Sequence, residues 1–100
     1  MPLYVFKLIP PRPTFVQDMS ETESEIMDRH FSYWEAILES GQAVVYGPVA
    51  DPSGTWGLGV IEVENEEEAR ALAIGDPAVD SGMATFDLHP MPMGIARRQH

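Results

Sequence analysis

The chain has 100 residues, 44% of them hydrophobic, and no cysteine, which fits one domain spanning 1–100 and excludes disulfides, thiolate nucleophiles and zinc–cysteine sites. Asp and Glu outnumber Lys and Arg 16 to 6, for a formal net charge of -10. Phosphate contacts depend on basic patches, so neither nucleic acid nor an anionic membrane is expected as a partner.

The opening stretch, MPLYVFKLIP, reads as a strand over Leu3–Ile9 rather than a signal h-region, because Lys7 and the prolines cut it short and no basic segment precedes it. Both of its alternating faces are apolar: Tyr4, Phe6 and Leu8 on one, Leu3, Val5 and Ile9 on the other. Such a strand needs cover on both sides. Pro10, Pro11 and Pro13 stop it, and a loop follows to residue 19.

Residues 20–41 read as an amphipathic helix. Ser20 with Glu23 is a capping box, Glu21, Glu23 and Glu25 put negative charge near the positive end of the helix dipole, and Gly41 suits a left-handed C-terminal cap. Its apolar stripe carries Ile26, Met27, Phe31, Tyr33, Trp34, Ile37 and Leu38, and His30 interrupts it. Histidine is the side chain able to hold or release a proton near neutral pH.

A short strand is expected at 42–46, ended by Gly47-Pro48, and Asp51-Pro52-Ser53-Gly54 reads as a hairpin loop to a strand at 56–64. Gly57 and Gly59 share a face of that strand and leave room for a side chain or ligand to approach the backbone. Asn65 with Glu68 caps a second helix carrying Ala69, Leu72 and Ala73 inward, which Gly75-Asp76-Pro77 ends. The last strand spans about 83–89, Pro90 and Pro92 close the ordered part of about 2–92, and a tail covers 93–100. No apolar run approaches the ~18 residues of a membrane span, and a cytoplasmic protein is expected.

The order β-α-β-β-α-β predicts an α+β, ferredoxin-like fold: a four-stranded antiparallel sheet with both helices on one face. The uncovered apolar face of the first strand then calls for a second copy, so a homodimer through the open sheet face is expected. The topology also brings the 10–13 loop, the N-terminal half of the long helix, Gly47-Pro48 and the Gly75-Asp76-Pro77 corner to one end of the sheet. There Asp76 can hydrogen-bond one nitrogen of His30 and leave the other as a general base or acid. The competing reading makes Asp76 a turn cap and His30 a core histidine bonded to a backbone carbonyl. Arg12 is the cation in the converging loops, suited either to bidentate grip of a substrate carboxylate or to plain exposure. Tyr33, Trp34 and Trp56 are read as pocket wall or core. His30, His89 and His100 lack metal-ligand spacing, so no metal and no cofactor is expected.

The His30 helix, GQAVVYGPVADPSG, EVENEEEARALAIGDPAVDSG and the short terminal strand together make the chain resemble the YCII-related (YciI-like) family over nearly its whole length. The resemblance implies a ferredoxin-like subunit that dimerises into an α/β barrel. It further implies an active site built on a histidine and an aspartate, which map here onto His30 and Asp76, with Arg12, Tyr33, Trp34, Gly47 and Pro48 as candidate substrate contacts. A related domain removes chloride from a chlorinated hydroxyquinol. The activity implied is therefore lyase-like proton transfer on a small aromatic, enolic or acidic molecule without cofactor; the alternative is a non-catalytic small-molecule-binding or regulatory homodimer. Residues 10–19 are an insertion relative to shorter members and would reshape the pocket mouth.

Overall fold

Alternation along the first strand sets the layers. In a computed structural model that describes residues 1–97, β1 (Leu3–Ile9) buries Tyr4, Phe6 and Leu8 on one face and pairs antiparallel with β3 (Trp56–Glu62) and β4 (Thr85–Met91). The strand β2 (Ala43–Val49) pairs antiparallel with β3, giving the order β2-β3-β1-β4. The helices α2 (Glu21–Glu39) and α3 (Glu66–Gly75) bury Trp34, Ile37, Ala69 and Ala73 in one cluster with the Tyr4 face of β1 and Ile61 of β3. This is the expected ferredoxin-like fold. Two short helices add to it, α1 (Phe15–Asp18) and α4 (Pro77–Asp80).

Local signals account for the helix ends. Glu23 N–H donates to Ser20 Oγ at 3.1 Å and Ser20 N–H to Glu23 Oε1 at 2.9 Å, closing the capping box. Glu68 N–H donates to Asn65 Oδ1 at 2.9 Å. Gly41 takes φ +86°, the left-handed value that a C-terminal glycine supplies without steric cost.

The boundaries of β2, β3 and β4 differ from expectation. Gly47-Pro48 does not end β2, which runs on to Val49, and Pro90 does not end β4, which begins at Thr85 and runs to Met91. Both strands lie at the edges of the sheet, where a residue without an N–H need not cost a ladder bond. The strand β3 stops at Glu62 because Glu64 N–H already donates to Glu68 Oε2, turning the chain into α3.

The opposite face of the sheet carries half-buried Val5, Lys7, Ile9, Leu58 and Val60, with Lys7 Nζ 4.7 Å from the centre of the Trp56 ring. Among the described residues no helix is long and apolar enough to cross a membrane. Of the 93–100 tail, Arg98 and His100 lie outside the described residues.

Candidate functional site

Four residues apart on α2, His30 and Trp34 share one face, and both are buried, at 6% and 1% exposure. Asp76 sits at the corner between α3 and α4. Its backbone N–H donates to Ala73 O, ending α3, while its side chain accepts from Ala78 N–H at 2.8 Å, capping α4 with Pro77 at the first helical position. The carboxylate is fully buried and therefore needs every acceptor position filled. His30 Nδ1 lies 2.8 Å from Oδ2 and 3.0 Å from Oδ1, and Trp34 Nε1 donates to Oδ2 at 2.8 Å.

These partners settle the imidazole tautomer by elimination. A carboxylate only accepts, so Nδ1 carries the proton and, in the neutral ring, Nε2 presents a lone pair. No described residue bonds Nε2, yet among the described residues no sealed polar side-chain atom lacks a partner. Nε2 is therefore not sealed in the core, and His30 lines a cavity.

That cavity measures about 470 Å³ and lies between α2 and the sheet. Phe6, Leu8, Trp34 and Tyr46 form the sheet and helix sides, and Phe15 and Met19 close it from the 10–19 segment. Phe31 stands edge-on to His30, ring centres 5.1 Å apart. Gly59 makes room for the indole: a Cβ there would sit 2.9 Å from Trp34 Cη2. This is the close approach expected at the paired glycines.

Gly47, Pro48, Trp34 and Trp56 line the cavity, whereas Tyr33 does not. The Tyr33 hydroxyl turns away to donate to Leu72 O at 2.7 Å, and burial, reinforced by the Asp76 charge, raises its pKa. Arg12 also stands outside the cavity lining. Its guanidinium is not free for a substrate carboxylate, because it meets Glu23 with two nitrogens at 2.8 and 2.9 Å and Asp18 Oδ1 with Nε at 2.7 Å. That grip, helped by the Ser20 amide, lowers the Glu23 pKa to about 2. Asp18 is lowered too, first by the Thr14 hydroxyl and then by Arg12. Arg12 thus fastens α1, whose Phe15 and Val16 line the cavity, to the start of α2.

Sequence reasoning missed Phe15, Val16 and Met19 as lining residues. Their signal was an apolar set at helical spacing inside a loop flanked by prolines. Among the described residues no three His, Asp or Glu side chains gather as ligands for a metal ion. What the arrangement supplies is a buried, oriented imidazole with its basic nitrogen at an apolar wall, the form a general base takes.

With the geometry in place, comparison with known proteins gives a consistent answer. A solved structure of similar fold is 5-chloro-2-hydroxyhydroquinone dehydrochlorinase from Burkholderia phenoliruptrix AC1100 in complex with 2,5-dihydroxybenzoquinone: TM-score 0.66, 18% identity, covering 92% of this chain and 95% of that one. No curated protein matches the chain. The model of the YCII-related domain matches residues 3–91, and the chain belongs to that family.

Proposed function

We propose that this protein is a cofactor-independent, lyase-like enzyme in which His30 exchanges a proton with a small conjugated molecule held in the apolar cavity, and Asp76 orients His30. The observation that carries this reading is the His30–Asp76 pair at 2.8 Å, with His30 lining a cavity of about 470 Å³. The fold shared with a dehydrochlorinase supports the reaction class. In the keto tautomer of a chlorinated hydroxyhydroquinone, the chlorine-bearing carbon is tetrahedral. Nε2 takes a hydroxyl proton, the O–H pair forms a carbonyl, the ring pairs shift, and chloride leaves with the C–Cl pair. The net change is loss of HCl, with no oxidant, and the imidazolium returns its proton to water. Trp34, Gly47 and Pro48 form wall around the ring rather than taking part in the transfer.

The test is chloride release from 5-chloro-2-hydroxyhydroquinone by the wild type and by His30→Ala. Loss of a positioned base lowers the rate by about 10² to 10⁴. Saturable binding with no chloride released would replace the enzyme reading with that of a ligand-binding protein.

The working form in this proposal is a homodimer joined through the open sheet face. Val5, Ile9, Leu58 and Val60 there make an apolar surface of the kind that a second copy covers.

A further inference from the structure

The cavity's charge balance narrows what can enter it, and this inference rests on the reading of the cavity as a ligand site. Among the described residues no lysine or arginine lines it. Arg12 is held outside by Asp18 and Glu23, and Lys7 lies over the Trp56 ring with β1's outward-facing residues. Among the described residues the one cation the cavity can develop is the His30 imidazolium, and Asp76 stands beside it at 2.8 Å. The pair's charge is therefore -1 with neutral imidazole and zero after protonation, never positive. An anion entering such a site is desolvated without a compensating charge, which costs several kcal/mol. The chain's net charge of -10 opposes its approach as well.

The second constraint is hydrogen-bond polarity. In the neutral ring, with Nδ1–H committed to Asp76, Nε2 accepts and does not donate. A bare carbonyl or ether oxygen placed against it meets lone pair with lone pair.

We propose that the site selects uncharged, hydroxyl-bearing aromatic rings, which donate an O–H to His30 Nε2, and rejects the same rings carrying a carboxylate. This replaces the acidic ligand that Arg12 had suggested. The donated proton is the one the proposed reaction removes, so recognition and chemistry use one contact.

The test titrates the wild-type protein at pH 7 with three probes, following tryptophan fluorescence, for which Trp34 in the cavity wall is a reporter. They are 2,5-dihydroxybenzoate, its methyl ester, and methyl 2,5-dimethoxybenzoate. The dihydroxy ester binds at least tenfold tighter than the carboxylate, although it is larger, and at least tenfold tighter than the dimethoxy ester. In His30→Ala the preference for hydroxyl over methoxy disappears. Equal affinity for acid and ester, no preference for the hydroxyls, or no binding of any of the three overturns the proposal. Selective binding with no chloride release from the chlorinated substrate would remove the enzymatic reading and leave this one standing. Chloride release together with equal acid and ester affinity would do the reverse.

Discussion

Replacing Asp76 with asparagine separates the two jobs of that carboxylate. Three donors converge on it: the Ala78 amide on Oδ1, the Trp34 indole on Oδ2, and His30 Nδ1 within 3.0 Å of both. An asparagine keeps one acceptor oxygen and puts an NH₂ where the other stood. The amide and the indole cannot reverse their polarity, so one of them must face that NH₂. The loss is one buried hydrogen bond and an orphaned donor, about 2 to 3 kcal/mol. A domain of this size has ~5 to 15 kcal/mol of stability, so Asp76→Asn folds with a lowered urea midpoint. Asp76→Ala orphans all three donors and is expected to cost roughly twice as much, near the limit of folding.

The imidazole, unlike the other two donors, can adapt. Against an asparagine NH₂ it accepts at Nδ1 and carries its proton on Nε2. That reverses what the cavity sees: a donor replaces the acceptor, and no lone pair remains to take a substrate proton. We expect turnover of the chlorinated substrate to fall by about 10² to 10⁴. Nitrogen-15 NMR of the histidine side chains at fixed neutral pH reads the tautomer directly, with or without a substrate in hand. The reasoning is refuted if Nε2 in Asp76→Asn stays unprotonated in the neutral ring, or if the variant keeps the wild-type tautomer and full stability.

At Gly59, alanine would drive a Cβ to within 2.9 Å of Trp34 Cη2 and 3.0 Å of Cζ3. The indole is tethered to Asp76 and cannot retreat, so overpacking of about 1 to 3 kcal/mol is expected in urea melts. The Arg12 bracket makes the α1 region acid-sensitive. Glu23 titrates near 2 when folded, against 4.5 ordinarily, so its contribution is complete above about pH 4.5 and is lost as pH falls toward 2. Protection factors in α1, taken against the intrinsic exchange rate at each pH, should fall through that window, and Arg12→Gln should lower them already at pH 7; protection that does not change with pH would count against the bracket. In the proposed homodimer Val60→Glu puts a charge on the open sheet face; sedimentation should show a dimer for the wild type and a monomer with intact secondary structure for the variant, and a dimeric variant or a monomeric wild type would refute that interface.

What the sequence disclosed were features whose physics is local. Ser20 with Glu23, Asn65 with Glu68 and Gly41 each satisfy backbone groups within a few residues, so their signals survive without knowledge of the rest. The meeting of His30 and Asp76 across 46 positions was accessible by another route, since strand and helix directions alone bring both to one end of the sheet. Edge effects were not accessible in the same way. Pro48 and Pro90 look like strand stops until the sheet order shows that each lies on an outer strand. Arg12 misled for a related reason: its partners are a side chain in a four-residue helix and a capping-box glutamate, and a bland loop arginine has the same sequence signature. Trp34 was read as wall. It is wall, but it also anchors the carboxylate through its indole N–H, a contact visible only once α2 and the α3–α4 corner are packed.

A packing argument bears on why the site persists. A sealed void of about 470 Å³, at ~24 cal/mol per Å³, would cost about 11 kcal/mol, comparable with the entire stability of such a domain. A structure cannot retain that space as empty core, so the cavity must communicate with solvent or hold a guest. Its walls are correspondingly fixed from outside the cavity. Trp34 is held by Asp76 and by the absence of a side chain at Gly59, and Phe15 and Met19 belong to the segment that the Arg12 bracket ties to α2. None of these restraints fills the space, and each prevents its collapse. The restraint that reaches deepest, the buried Asp76, is also the one that points the His30 lone pair into it, so the same bonds that keep the cavity open give it a reactive atom.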